Sequence, residues 1–171
     1  MSNKLLELGT KKHPFSVSRG QFLPLGAILD KEKGGCHFSV YSLGAYRVEL
    51  CLFDKCENEI ANYPLDAKQG HLWSVFINKV EAGQLYGYRV FGENNPANGF
   101  IFDKNNLLID PYAKALNRVQ HSFEETKVTA AGHHIAKSVV VDDEFDWGAS
   151  SKPIIDDGKR ILYEVHVKGF S

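Results

Sequence analysis

Residues 36–53, CHFSVYSLGAYRVELCLF, decide the fold. In residues 36–42 (CHFSVYS) the side chains alternate with a period of two, as a half-buried strand requires. Gly34-Gly35 stand before this run and Gly44 follows it, and both are turn signals. Residues 47–53 (RVELCLF) are rich in β-formers. Val48, Leu50 and Leu52 fall on one face, with Arg47, Glu49, Cys51 and Phe53 on the other.

The same pattern continues outward. Residues 60–65 predict a weaker strand, and Pro64 places it at a sheet edge. Gly70 introduces residues 71–77 (HLWSVFI), with Leu72, Ser74 and Phe76 facing one way and Trp73, Val75 and Ile77 the other. Gly83 marks a turn before the strand 85–91 (LYGYRVF). Several short strands at this spacing, with no long helical period between them, predict an all-β, immunoglobulin-like antiparallel β-sandwich.

Beyond it, residues 92–99 (GENNPANG) are loop by composition, and 107–109 form a short apolar run that Asp110-Pro111 ends. Asp110 as N-cap and Pro111 at the first helical position predict one helical turn over 112–116. Residues 117–137 show no period and read as a long connection. Residues 139–141 (VVV) predict an isolated strand, followed by the acidic run 142–146 (DDEFD) and Trp147. Residues 161–167 (ILYEVHV) are apolar enough for a strand buried on both faces, and nothing after them pairs with or covers it. The expected organisation is therefore an arm over 1–20, a sandwich over 21–116, an irregular linker over 117–159, and the start of a second domain over 160–171.

Composition bounds the function. The chain has 171 residues, 43% of them hydrophobic, and 20 Lys and Arg against 21 Asp and Glu give a net charge of -1. This is an ordinary globular composition, without the basic excess of a nucleic-acid binder. A complete (β/α)₈ barrel needs roughly 200 residues or more. Leu5, Leu6 and Leu8 are interrupted by Glu7 and Gly9, so the first residues do not make a signal peptide. No stretch reaches the roughly 18 apolar residues of a membrane span. Three cysteines, Cys36, Cys51 and Cys56, form no disulfide framework. A cytoplasmic protein that meets neither membrane nor nucleic acid is expected.

Few residues suggest chemistry on their own. Glu164 and His166 share a strand face, which invites an acid–base reading, but structural roles are the commoner use of such a pair. The acidic run 142–146 lacks the alternating ligands and glycine of a calcium loop. His133-His134 have no partners at metal-ligand spacing. Lys33-Gly34-Gly35 lacks the full phosphate-loop pattern and reads as a turn. No metal or cofactor is expected.

Taken in order, several motifs resemble the start of bacterial glycogen debranching enzymes of the isoamylase type. These are glycoside hydrolases of family 13 with a glycogen-binding-type family 48 N-terminal module. The motifs are 24–27 (PLGA), 37–42 (HFSVYS), 48–53 (VELCLF), 86–90 (YGYRV), 106–114 (NLLIDPYAK), 139–147 (VVVDDEFDW) and 163–171 (YEVHVKGFS). The resemblance spans about residues 21 to 171, with gaps near 30–34 and 117–137. It implies a glycogen-binding-type β-sandwich, a connecting segment and the first strand of a truncated (β/α)₈ barrel over 160–171. It also implies a parent that hydrolyses α-1,6-glucosidic branch linkages.

That chemistry needs two carboxyl groups flanking the scissile bond. The resemblance places them on later barrel strands, past Ser171, so no catalytic residue is expected in this chain. Sugar rings pack on exposed aromatic side chains beside polar groups. Glycogen-binding relatives carry tryptophans in the loops that match 54–59 (DKCENE) and 92–95 (GENN), which here hold no aromatic residue. The candidate glucan contacts are Trp73, Arg89 and Phe91, with Tyr63 and Tyr88 as further platforms. Strand aromatics usually pack, so Trp73 reads first as a core residue, and Trp147 as a pin for the linker. The leading expectation is a non-catalytic module that packs on and stabilises its own catalytic barrel. An α-glucan-binding module comes second, and an unrelated immunoglobulin-like interaction domain third.

Overall fold

A computed structural model describes residues 14–119 and 135–170. Its strands are β1 Val17–Ser18, β2 Gly26–Asp30, β3 Gly35–Tyr41, β4 Ala45–Phe53, β5 Glu59–Pro64, β6 Ala67–Gln69, β7 Leu72–Asn78, β8 Leu85–Gly92, β9 Ala115–Leu116 and β10 Ser138–Val139. They form two antiparallel sheets. One has the order β1-β7-β3-β2, with β6 also on β7, and the other the order β5-β4-β8-β10-β9. Every strand expected between residues 36 and 91 is present, and β5 with its Pro64 is indeed an edge strand.

The alternation builds the core. Phe38 and Val40 of β3 and Trp73, Val75 and Ile77 of β7 face Val48, Leu50 and Leu52 of β4 and Tyr86, Tyr88 and Val90 of β8. The register follows from it: Phe38 lies opposite Val75 in the first sheet, and Leu50 opposite Tyr88 in the second. A slip of one residue would turn each of these faces outward.

The outer faces are also covered, which alternation does not predict. On the first sheet, residues 15–22 cross β3 and β7. Gln21 N–H donates to His37 Nδ1 at 3.2 Å and Ser39 Oγ donates to the Phe22 carbonyl at 2.6 Å, while Phe15 N–H reaches the other sheet and donates to the Tyr63 hydroxyl of β5 at 3.1 Å. His37, Ser39, Ser74 and Phe76 are buried as a result. Residues 14–20, expected as part of a polar arm, are thus fixed, and β1 pairs with β7.

Close approach at this sheet needs a glycine. A Cβ on Gly35 would stand 2.4 Å from the Ile77 carbonyl oxygen and 2.7 Å from the Phe76 ring. Gly35→Ala is expected to cost about 1–3 kcal/mol, the usual penalty of overpacking. Urea unfolding checks it: a midpoint equal to that of the parent chain would refute the close contact.

Three expectations are corrected. Residues 112–116 form a turn and β9 instead of a helical turn. Asp110 caps that turn through Tyr112 N–H at 2.8 Å. A short polar side chain satisfies a turn as readily as a helix, and tertiary pairing decides between them. Residues 139–141 are no isolated strand, since β10 runs between β8 and β9. Residues 161–166 form no strand, and Val167–Phe170 make a single helical turn, α1. Ile161 is 90% exposed and Leu162 93%. A strand exists only through a partner ladder, and no described strand reaches these residues. The expected barrel strand is therefore absent from this structure.

The acidic run is held, not merely solvated. Lys31, in the turn after β2, bridges Asp142 at 2.8 Å and Glu144 at 2.6 Å, and Lys114 pairs with Asp143. Trp147 is exposed and meets Phe145 edge-on at 4.8 Å, so it does not pin the linker to the sandwich. His133 and His134 lie outside the described residues. Among the described residues, no group of three or more His, Cys, Asp or Glu is placed to hold a metal ion. None of their helices is long and apolar enough to cross a membrane.

Candidate functional site

The outer face of the second sheet carries two of the side chains expected for function, Arg89 and Phe91. β4 and β8 pair with Arg47 opposite Phe91, Glu49 opposite Arg89, Cys51 opposite Gly87 and Phe53 opposite Leu85. These are the outward positions of both strands, because Val48, Leu50 and Leu52 are committed to the core.

The upper half of this face is a charged ladder. The Arg47 guanidinium lies 5.1 Å from the Phe91 ring centre and pairs with Glu49. Arg89 donates to Glu59 at 2.7 Å and to Cys51 Sγ at 2.9 Å. The hydrogen bond to Glu59 raises the Arg89 pKa against the opposing effect of burial. Burial pushes the Cys51 thiol up to about 12, so it is not a nucleophile at neutral pH. Removing the Arg89 side chain takes the charged donor away from the partly buried Glu59, which also accepts from Asn62 at 3.2 Å. Arg89→Ala is expected to cost about 1.5–3 kcal/mol, the range for hydrogen bonds to charged groups. Thermal unfolding checks it, and an unchanged midpoint would show that the pair contributes nothing.

The lower half is apolar and closed. Leu107 and Ile135 pack on Cys51 and Phe53. Gly87 makes this possible, because a Cβ there would meet Leu107 Cδ1 at 3.0 Å and the Leu108 carbonyl oxygen at 3.0 Å. Below them Lys137 is fully buried, with its ammonium 5.1 Å from the Phe53 ring centre. It donates to the Ile135 carbonyl at 2.6 Å and lies 3.5 Å from Glu57. Burial lowers its pKa, against the opposing pull of Glu57. Glu57 also accepts from Asn117 at 2.8 Å and pairs with Arg118.

Of the three candidate glucan contacts, Arg89 and Phe91 share this face and Trp73 does not. Trp73 points between the sheets and is buried, with the Lys68 ammonium 4.3 Å from its ring centre. Tyr63 and Tyr88 are buried too. Sequence reasoning missed Leu107, Ile135 and Lys137. The one signal for them was Gly87, since a glycine inside a strand marks close approach by another segment.

Two antiparallel sheets with a charged and aromatic ladder on one outer face define a β-sandwich module. The chain belongs to the family described as carbohydrate-binding module 48 (isoamylase N-terminal domain), whose model matches residues 24–113. This sets aside the reading of an unrelated interaction sandwich. Among curated proteins it is 36% identical over 163 residues to a glycogen debranching enzyme of Yersinia enterocolitica, covering 91% of this chain and 24% of that protein. A glycogen debranching enzyme of Serratia proteamaculans is 36% identical over 162 residues, again with 91% and 24% covered. The chain thus spans about a quarter of the length of these relatives. Solved structures show the same fold. The catalytic module of the glycogen-degrading pneumococcal virulence factor SpuA matches with TM-score 0.54 and 22% identity, over 72% of this chain and 17% of that one. Klebsiella pneumoniae pullulanase complexed with maltotriose matches with TM-score 0.51 and 23% identity, over 70% and 10%.

Proposed function

We propose that this chain is the non-catalytic N-terminal module of a glycogen debranching glycoside hydrolase, and that it packs on and stabilises the catalytic barrel of its parent. The parent hydrolyses α-1,6-glucosidic branch linkages. The observation that carries this reading is the 36% identity to glycogen debranching enzymes, spread over 91% of this chain yet only 24% of theirs. The exposed apolar residues Ile161, Leu162, Tyr163 and Val167 support it, since they suit a segment that belongs to a neighbouring unit. On this reading residues 160–171 begin the barrel, and the catalytic carboxylates lie beyond them.

The charged ladder supports the same view. Glu49 and Glu59 are engaged by Arg47 and Arg89, so neither carboxylate stands free across an open cleft from the other. Glycosidic cleavage needs an acid and a second carboxylate roughly 5–9.5 Å apart with the sugar between them. The test is release of reducing ends from branched dextrin. The 171-residue chain is expected to release none, and cleavage at enzymatic rates would overturn the reading.

A second reading is favoured by one observation. Arg89 and Phe91 share an outer face, as a glucan platform would require, in a chain whose family is described as carbohydrate-binding. In this reading the module holds an α-glucan through those two residues, and Trp73, buried between the sheets, is not a contact. Calorimetric titration with maltoheptaose separates the two. Saturable millimolar binding that is lost in Phe91→Ala would make the chain a glucan-binding module, and no binding leaves the packing role.

A further inference from the structure

The described residues offer three broad faces, and two are already occupied. Residues 15–22 lie over the first sheet, and Leu107, Ile135 and the ion pairs fill the second. The third is the mouth between the sheets, where β3 ends and the chain after β8 folds back. Here Tyr41, Ile101, Phe102, Leu108 and Pro111 surround a cleft of about 200 Å³ that reaches Tyr88 and Val90 of the core. Ile101 is 79% exposed, Tyr41 50% and Leu108 46%. Contiguous exposed apolar surface on a soluble module marks an interaction site.

The shape points to the occupant. Sites for small molecules run to roughly 300–1,000 Å³, so this cleft suits a single large side chain, with a mainly apolar lining that Ser42, Asp103 and Asn106 interrupt. That is how an anchor residue sits at the centre of a protein interface. The walls are pre-set, because Phe102 stacks on Phe100 at 6.1 Å and Tyr41 meets His71 edge-on at 5.8 Å. Leu108 is tied to β8 by two backbone hydrogen bonds with Tyr88, of 2.8 and 2.9 Å. A rigid site loses little entropy on binding. The relatives carry about three times as much further polypeptide as this chain matches.

We propose that this mouth is the surface on which the module seats against the remainder of its parent polypeptide, with one apolar side chain of that remainder in the cleft. The inference rests on the chain being the N-terminal module of a larger enzyme, and it names the face that docks.

The test is thiol labelling with N-ethylmaleimide, read peptide by peptide by mass spectrometry. Ile101→Cys and, separately, Ser42→Cys are made in the complete polypeptide that contains this sequence and in the 171-residue chain. The exposed native Cys56 is the internal reference. Relative to Cys56, either introduced thiol is expected to react at least tenfold more slowly in the complete polypeptide than in the short chain. Equal rates at both positions would overturn the docking face and leave the membership of a larger enzyme standing. Protection in the short chain that appears only with maltoheptaose would assign the cleft to glucan. Protection that grows with the short chain's own concentration would assign it to a second copy. Either result overturns the proposal. A reading frame that ends at Ser171 overturns both the docking face and the reading beneath it.

Discussion

Phe38→Ala is expected to lower the stability of the sandwich by about 3–5 kcal/mol, the range for an aromatic side chain removed from a packed core. Phe38 is completely buried in the middle of β3 and lies opposite Val75. Its ring meets Tyr86 edge to face at 5.1 Å, across the gap between the sheets. The substitution thus removes both transfer energy and the contact that joins β3 to β8. A sandwich cannot collapse into such a void without moving a whole sheet, because each strand is held by its neighbours. Native domains hold about 5–15 kcal/mol in total, so this one change takes a large fraction. Phe38→Leu keeps most of the volume and is expected to cost less than half as much. Chemical denaturation of both variants checks this, and equal midpoints for Phe38→Ala and the parent chain would contradict the inter-sheet packing.

The same residues show what was legible in the sequence. The alternation of residues 36–42, 47–53, 71–77 and 85–91 revealed the inward faces, because a period of two reports burial on one side only. It could not reveal the burial of Ser74, Phe76, Cys51 and Phe53 on the outward faces. That burial depends on residues 15–22, Leu107 and Ile135, which return from distant parts of the chain and carry no period. The split of the candidate site, by contrast, follows from parity itself. Trp73 and Arg89 look alike as outward-capable strand residues, and only the assignment of faces separates them. Trp73 shares a parity with Val75 and Ile77 and therefore faces inward, while Arg89 alternates with Tyr88 and Val90 and faces out. Residues 161–167 mark the other limit. Their apolar run states a need for burial, and the partner that would meet it is not encoded within the run.

Asp110→Ala is the second large loss, at about 2–4 kcal/mol. Asp110 is buried where the chain after β8 crosses to β9, and it serves three partners there. Its carboxylate accepts from the Tyr86 hydroxyl at 2.7 Å and from Tyr112 N–H at 2.8 Å, and its own N–H donates to Ser138 Oγ at 3.0 Å. Alanine keeps the last of these, takes the carboxylate from the buried Tyr86 hydroxyl, which also bonds Ser138, and leaves the N–H of the half-exposed Tyr112 to solvent. Each buried unsatisfied group costs about 1–3 kcal/mol. The pH dependence identifies the cause. Burial raises the Asp110 pKa above its ordinary 3.8, against the pull of its two hydrogen bonds. The folded state therefore takes up a proton before the unfolded state does. Between the raised folded value and 3.8, the stability contributed by this group falls as pH rises. Asp30 behaves oppositely: chiefly the Lys33 backbone N–H holds its carboxyl down to about 2, so its contribution is present above 3.8 and is lost as pH falls toward 2. Asp110→Asn preserves the shape and cannot titrate. The parent chain is therefore expected to gain on Asp110→Asn as the pH is lowered from 7 toward 4, measured by urea midpoints at each pH. A gap between the two that stays constant over that range would mean that the loss is one of hydrogen bonding alone, with no buried charge behind it.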